Sequence, residues 1–152
     1  MALPTTSSKL PVFDVRPSVS GKIDAEVVAV FQDAAKKAVA PQGGHGALVE
    51  RLKKSDAFSA RTGAIQFVRY GGKGSVENVA FLGLGSPGEL TEERLRSAGG
   101  MLWGKLSAEK TRTAVVDADA LAGARGLKAD LTSALLLRAL AEGLMLSAYQ
   151  FV

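Results

Sequence analysis

Residues 77–100, ENVAFLGLGSPGELTEERLRSAGG, decide the fold. The stretch Glu77–Leu84 reads as a strand whose core run, Val79-Ala80-Phe81-Leu82, is apolar without alternation. Such a run suits a strand covered on both faces. The glycine-rich turn from Gly83 to Gly88 ends it. A helix start follows. Thr91 is placed to act as N-cap, and Glu92 and Glu93 put acids in the first turn, where the helix dipole favours them. Leu90 and Leu95 occupy the positions of a hydrophobic staple. The helix should run to about Leu106. It contains Gly99-Gly100, and each glycine costs about 1 kcal/mol relative to alanine. Such a pair predicts a helix backbone drawn close to the sheet.

Outward from this unit, strand and helix signals alternate. Upstream, Ala64–Tyr70 reads as a strand that turns through Gly71-Gly72-Lys73-Gly74. Gly46–Lys54 is a short amphipathic helix with Leu48, Val49 and Leu52 on one face, and the loop Pro41-Gln42-Gly43-Gly44 precedes it. Within Ile23–Phe31, the β-branched run Val27–Phe31 predicts a buried strand. Leu10–Val15 alternates between Pro11 and Pro17 and predicts an edge strand, since proline cannot donate to a ladder. Residues 1–8 are a polar lead. Downstream, Thr113–Asp117 reads as a short strand and Asp119–Lys128 as a loop or broken helix. Asp130–Tyr149 reads as a long helix, apolar most of the way round. Alternation of this kind predicts a three-layer α/β fold with a mixed sheet of about five or six strands flanked by helices.

A chain of 152 residues fits one domain. At 47% apolar and 22% charged it has the balance of a globular protein. A domain of this size buries roughly 70% of the surface its unfolded chain exposes. The net charge of +4 is spread over Lys53, Lys54, Arg94, Arg96, Lys105, Lys110 and Arg112, as a solvated surface would be. There is no cysteine, which excludes disulfides, thiolate nucleophiles and cysteine-ligated metals. The composition fits a cytoplasmic protein. Met1–Pro11 lacks the pattern of a signal peptide. Leu131–Ala148 is interrupted by Arg138 and Glu142, so it reads as a buried helix and not a membrane span.

No stretch assembles a catalytic constellation. Gly83–Gly88 matches G-x-G-x-x-G, but a dinucleotide site needs the helix to begin within the motif. Here Pro87 and Gly88 delay it to Thr91, and the acid expected about 20 residues on is met only loosely by Glu109. The turn therefore reads as structural. Gly72-Lys73-Gly74-Ser75 lacks the spacing of a phosphate loop and reads as a hairpin turn. His45 lies in Gly-Gly-His-Gly, with no serine in a nucleophile elbow, and reads as a loop histidine. Asp117 and Asp119 follow a strand but lack the further ligands a metal needs. Met101, Leu102 and Trp103 read as core. No catalytic, cofactor or metal ligand is assigned in this chain.

Glu77–Gly100 and Ala139–Phe151, ALAEGLMLSAYQF, together resemble the N-terminal domain of the leucyl aminopeptidase (cytosol aminopeptidase) family. The resemblance rests on a strand ending in GLG, a helix opening with LT-x-E, and an EG-x-x-L-x-AY-x-F pattern. Glu142, Gly143, Leu146, Ala148, Tyr149 and Phe151 meet that last pattern. Asp56–Gly63 also resembles the family's segment before its third strand. Ser147 and Gln150 depart from the family, which usually has glycine and a basic residue there. The resemblance implies a macro-domain-like fold and a cytoplasmic, hexameric metallo-aminopeptidase. It implies that residues 1–152 form a single accessory domain serving packing, assembly or access control. The chemistry would belong to a separate catalytic domain in which two divalent ions, zinc or manganese, activate water. None of that domain's ligands has a counterpart here. Some bacterial relatives bind DNA, so DNA is a possible partner, and a stand-alone module for ADP-ribose or a nucleotide is a rival reading.

The C-terminal helix carries the one interface expectation. Leu136, Leu140 and Leu144 follow i, i+4 spacing, and Tyr149 and Phe151 extend the apolar run to the end of the sequence. An apolar surface wider than one sheet face needs predicts docking against a catalytic domain or a second copy of the chain.

Overall fold

The strand Ala25–Phe31, β1, is where the two sides of the protein separate. Ala25, Val27, Ala29 and Phe31 point into one apolar cluster, and Val28 and Val30 into another. A strand with period-2 side chains, apolar on both faces, must be covered on both. The computed structural model describes residues 23–39, 45–55, 58–72, 75–116 and 121–149, with Val12 and Pro41.

The elements follow in the order β1, α1 (Gly46–Lys54), β2 (Ile65–Gly72), β3 (Ser75–Gly85), α2 (Glu92–Ala108), β4 (Ala114–Val116) and α3 (Ser133–Ala148). The sheet order is β2-β3-β1-β4. β2 and β3 form a long hairpin, with Ile65 opposite Leu82 and Gly72 opposite Ser75. β1 runs parallel to both β3 and β4, so the sheet is mixed. Helix α1 covers the face of Val28, Val30, Val79 and Phe81, and buries Val49 completely. Helices α2 and α3 cover the face of Val27, Ala80, Leu82 and Leu84. Helix, sheet and helix pair make the three expected layers.

Four strands are present among the described residues, fewer than the about five or six expected. The expected strand Leu10–Val15 lies outside the described residues except for Val12, which is 93% exposed. Asp24 ties the start of β1 to its neighbours. Its carboxylate accepts from the Arg112 and Thr113 amides at 2.9 and 3.1 Å, and its carbonyl accepts from Asn78 Nδ2 at 2.9 Å.

The helix signals hold locally. Thr91 accepts from the Arg94 amide at 3.2 Å, and Thr132 does the same for the Leu135 amide at 3.3 Å. These caps satisfy amides that the first helical turn cannot pair internally. α2 ends in a Schellman arrangement, in which the Thr111 amide donates to the Leu106 carbonyl and the Lys110 amide to the Ser107 carbonyl. Lys110 takes the left-handed position, with φ +56°, where glycine is usual.

The glycine pair in α2 faces a different neighbour from the one expected. A Cβ on Gly99 would lie 2.5 Å from the Leu140 carbonyl oxygen, and one on Gly100 would lie 2.6 Å from Ser147 Oγ. A Cβ on Gly143 would fall on the Arg96 carbonyl oxygen. The close approach is thus α2 against α3 and not α2 against the sheet. Small residues on both helices let the backbones meet at the crossing. The core expectation for α2 also needs correction. Leu102 is buried and Trp103 half-buried, but Met101 is 60% exposed.

Candidate functional site

The carboxyl ends of β1 and β3 are where an α/β sheet offers a ligand crevice. The two strands are parallel neighbours, and the chain leaves them toward helices on opposite faces. The GLGSPG turn lies there, and its geometry shows what the glycines are for. Segment 60–64 crosses directly over it. A Cβ on Gly83 would fall on the Arg61 carbonyl oxygen, and one on Gly85 would lie 2.6 Å from Thr62 Oγ1. Gly85 also has φ +70°, a conformation that side chains resist.

Two of the turn's amides are occupied as well. The Gly83 amide donates to the Ala64 carbonyl at 2.8 Å and the Gly85 amide to the Ala60 carbonyl at 2.9 Å. Those of Glu89 and Leu90 close the 3-10 turn Pro87–Glu89 by donating to Ser86 and Pro87. Pro87 has no N–H to offer. α2 begins only at Glu92, with its dipole beyond the turn. The glycines serve close packing of the chain on itself.

A latch that the sequence did not reveal closes the same end. Lys36 adopts φ +61° and donates from Nζ to Ser86 Oγ at 2.9 Å, with Glu89 Oε1 at 3.4 Å. Behind it, the Asp33 carboxylate accepts from the Ala35 and Lys37 amides at 2.9 and 3.0 Å. The Lys37 amide bond holds the Asp33 carboxyl below the usual carboxylate range. Lys36 and Ser86 are fifty positions apart, so no local pattern could join them.

Among the described residues, the chemistry-bearing side chains do not converge. His45 sits at the N-cap position of α1, with Nε2 2.9 Å from Glu26 Oε2 and its ring edge-on to Phe81. Asp117 and Asp119 lie outside the described residues. Among the described residues no three His, Cys, Asp or Glu side chains are placed to share a metal ion. Two of the acids serve structural partners: Asp24 the backbone of Arg112 and Thr113, Glu142 two arginines.

The five residues of the expected interface are divided by the structure. Leu136, Leu140 and Leu144 are at most 9% exposed and pack in the same cluster as Leu95, Ala98 and Leu102 of α2. Their contacts are made inside this chain. Phe151 lies outside the described residues, and Tyr149 is 58% exposed. Two further residues share the exposure at this end of α3, namely Met145 at 43% and Leu146 at 70%. Sequence spacing passed over them because the leucine stripe is the more regular pattern. Nearby, Glu142 accepts from Arg96 Nε at 2.7 Å and from Arg138 Nε at 2.8 Å. These bonds, with that from Arg96 the stronger influence, hold the Glu142 carboxyl below the usual glutamate range. The EG pair of the C-terminal motif is therefore a packing device. Glu142 grips α2 and Gly143 lets it approach.

The fold and this arrangement define an α/β domain whose distinctive residues hold its own elements together. A family model described as the N-terminal domain of the cytosol aminopeptidase family matches residues 27–152. The chain belongs to that family of metallopeptidases and corresponds to its N-terminal domain. Among solved structures it is similar to the bottromycin maturation enzyme BotP, and to BotP in complex with Mn. Each comparison gives 25% identity and a TM-score of 0.57 over 86% of this chain. The chain spans 24% of the length of BotP. Comparison with curated proteins yields no match. Among the described residues no helix is long and apolar enough to cross a membrane.

Proposed function

We propose that residues 1–152 act as one accessory, non-catalytic domain of a leucyl aminopeptidase-type enzyme, serving packing, assembly or control of access. The observation that carries this reading is the family match over residues 27–152. The partner is a catalytic domain in which two divalent ions, zinc or manganese, activate water against an N-terminal peptide bond. The manganese bound in the similar enzyme BotP supports that choice of ion. The parent enzyme is a cytoplasmic homo-oligomer, a hexamer as the family resemblance implies. The docking face is the exposed end of α3, Met145, Leu146 and Tyr149, with Phe151 as a further anchor by its place in the sequence.

The test is direct. The purified chain is assayed with leucyl-p-nitroanilide in the presence of Mn²⁺ or Zn²⁺. No turnover is expected, because the ligand set belongs to the partner domain. Turnover that survives repurification would overturn the proposal.

A further inference from the structure

We draw no further inference here: the strongest candidate, the exposed apolar ridge of Met145, Leu146 and Tyr149 at the C-terminal end of α3, belongs to the docking face already described, and nothing in the structure shows what else would cover it.

Discussion

Two glycines and one lysine show how the same backbone question receives opposite answers. Gly143 sits where a methyl group would fall on the Arg96 carbonyl oxygen. That obstacle is backbone, so it cannot swing aside as a flexible side chain could. Gly143→Ala should destabilise the chain by about 1–3 kcal/mol or more through overpacking. Gly104, also in α2, has nothing within 4 Å of its would-be Cβ. There the helix carries only the entropic cost of glycine, so Gly104→Ala should stabilise by about 0.5–1 kcal/mol. Urea denaturation of the two variants checks both signs, and a shift in the same direction for both would refute the account of the α2–α3 crossing. Lys110 holds the left-handed position that ends α2, with φ +56°. Lys110→Gly relieves that conformation and should raise stability by about 1 kcal/mol, with the midpoint shifting at unchanged slope.

At the scale of elements, α2 and α3 are joined by charge as well as by close packing. Glu142 bonds Arg96 across the helix pair and Arg138 one turn before it on its own helix. Its carboxyl is lowered in the folded state, chiefly by the bond from Arg96. A carboxyl lowered by folding contributes stability above its unfolded value, about 4.3. That contribution is lost as pH falls through the lower folded value. Unfolding followed from pH 7 downward should therefore show a loss that Glu142→Gln reduces, with no other change in shape. The pair is partly exposed, so added salt should weaken the effect. An acid limb identical in the two proteins would show that the pair does not couple the helices.

The glycine turn is the second element-scale case. Its Gly83 and Gly85 amides are committed to segment 60–64, Pro87 has no N–H, and the helix dipole begins only at Glu92. ADP-ribose or NAD should accordingly bind at millimolar strength or weaker by calorimetry. Micromolar binding to the folded chain would show the turn to be a ligand site. These elements also show how far sequence could reach. The strands, the Thr91 cap and helix α1 were legible because each is written in contiguous residues, as alternation, capping chemistry or an amphipathic stripe. Gly99-Gly100 announced a close approach, but its partner, α3, lies forty positions away and the pattern is silent on direction. The Lys36–Ser86 latch and the Glu142–Arg96 bond were illegible for the same reason. The family resemblance was legible because order and spacing combined several weak motifs.

At the scale of the whole molecule, α3 divides its apolar residues between two tasks. Leu136, Leu140 and Leu144 finish this chain's own core, and Ala139, Gly143 and Ala148 complete the buried stripe. Exposed leucines and methionines scattered singly need no explanation. Met145, Leu146 and Tyr149 are three large apolar residues within five positions, all at one helix end, so burying them requires something outside the described residues. The proposed occupant is the catalytic domain, and in its absence a second copy of the chain. Leu146→Glu should leave the melting curve nearly unchanged, because residue 146 is 70% exposed and supports little of the core. The same substitution, and Tyr149→Ser beside it, should weaken association with a cytosol aminopeptidase catalytic domain. A central anchor lost from such a contact is worth about 2 kcal/mol, or on the order of 30-fold in affinity. Sedimentation of the chain alone should show self-association that both variants reduce. Equal affinity for the catalytic domain and equal sedimentation in wild type and both variants would remove this face from the interface and leave the end of α3 an ordinary exposed surface.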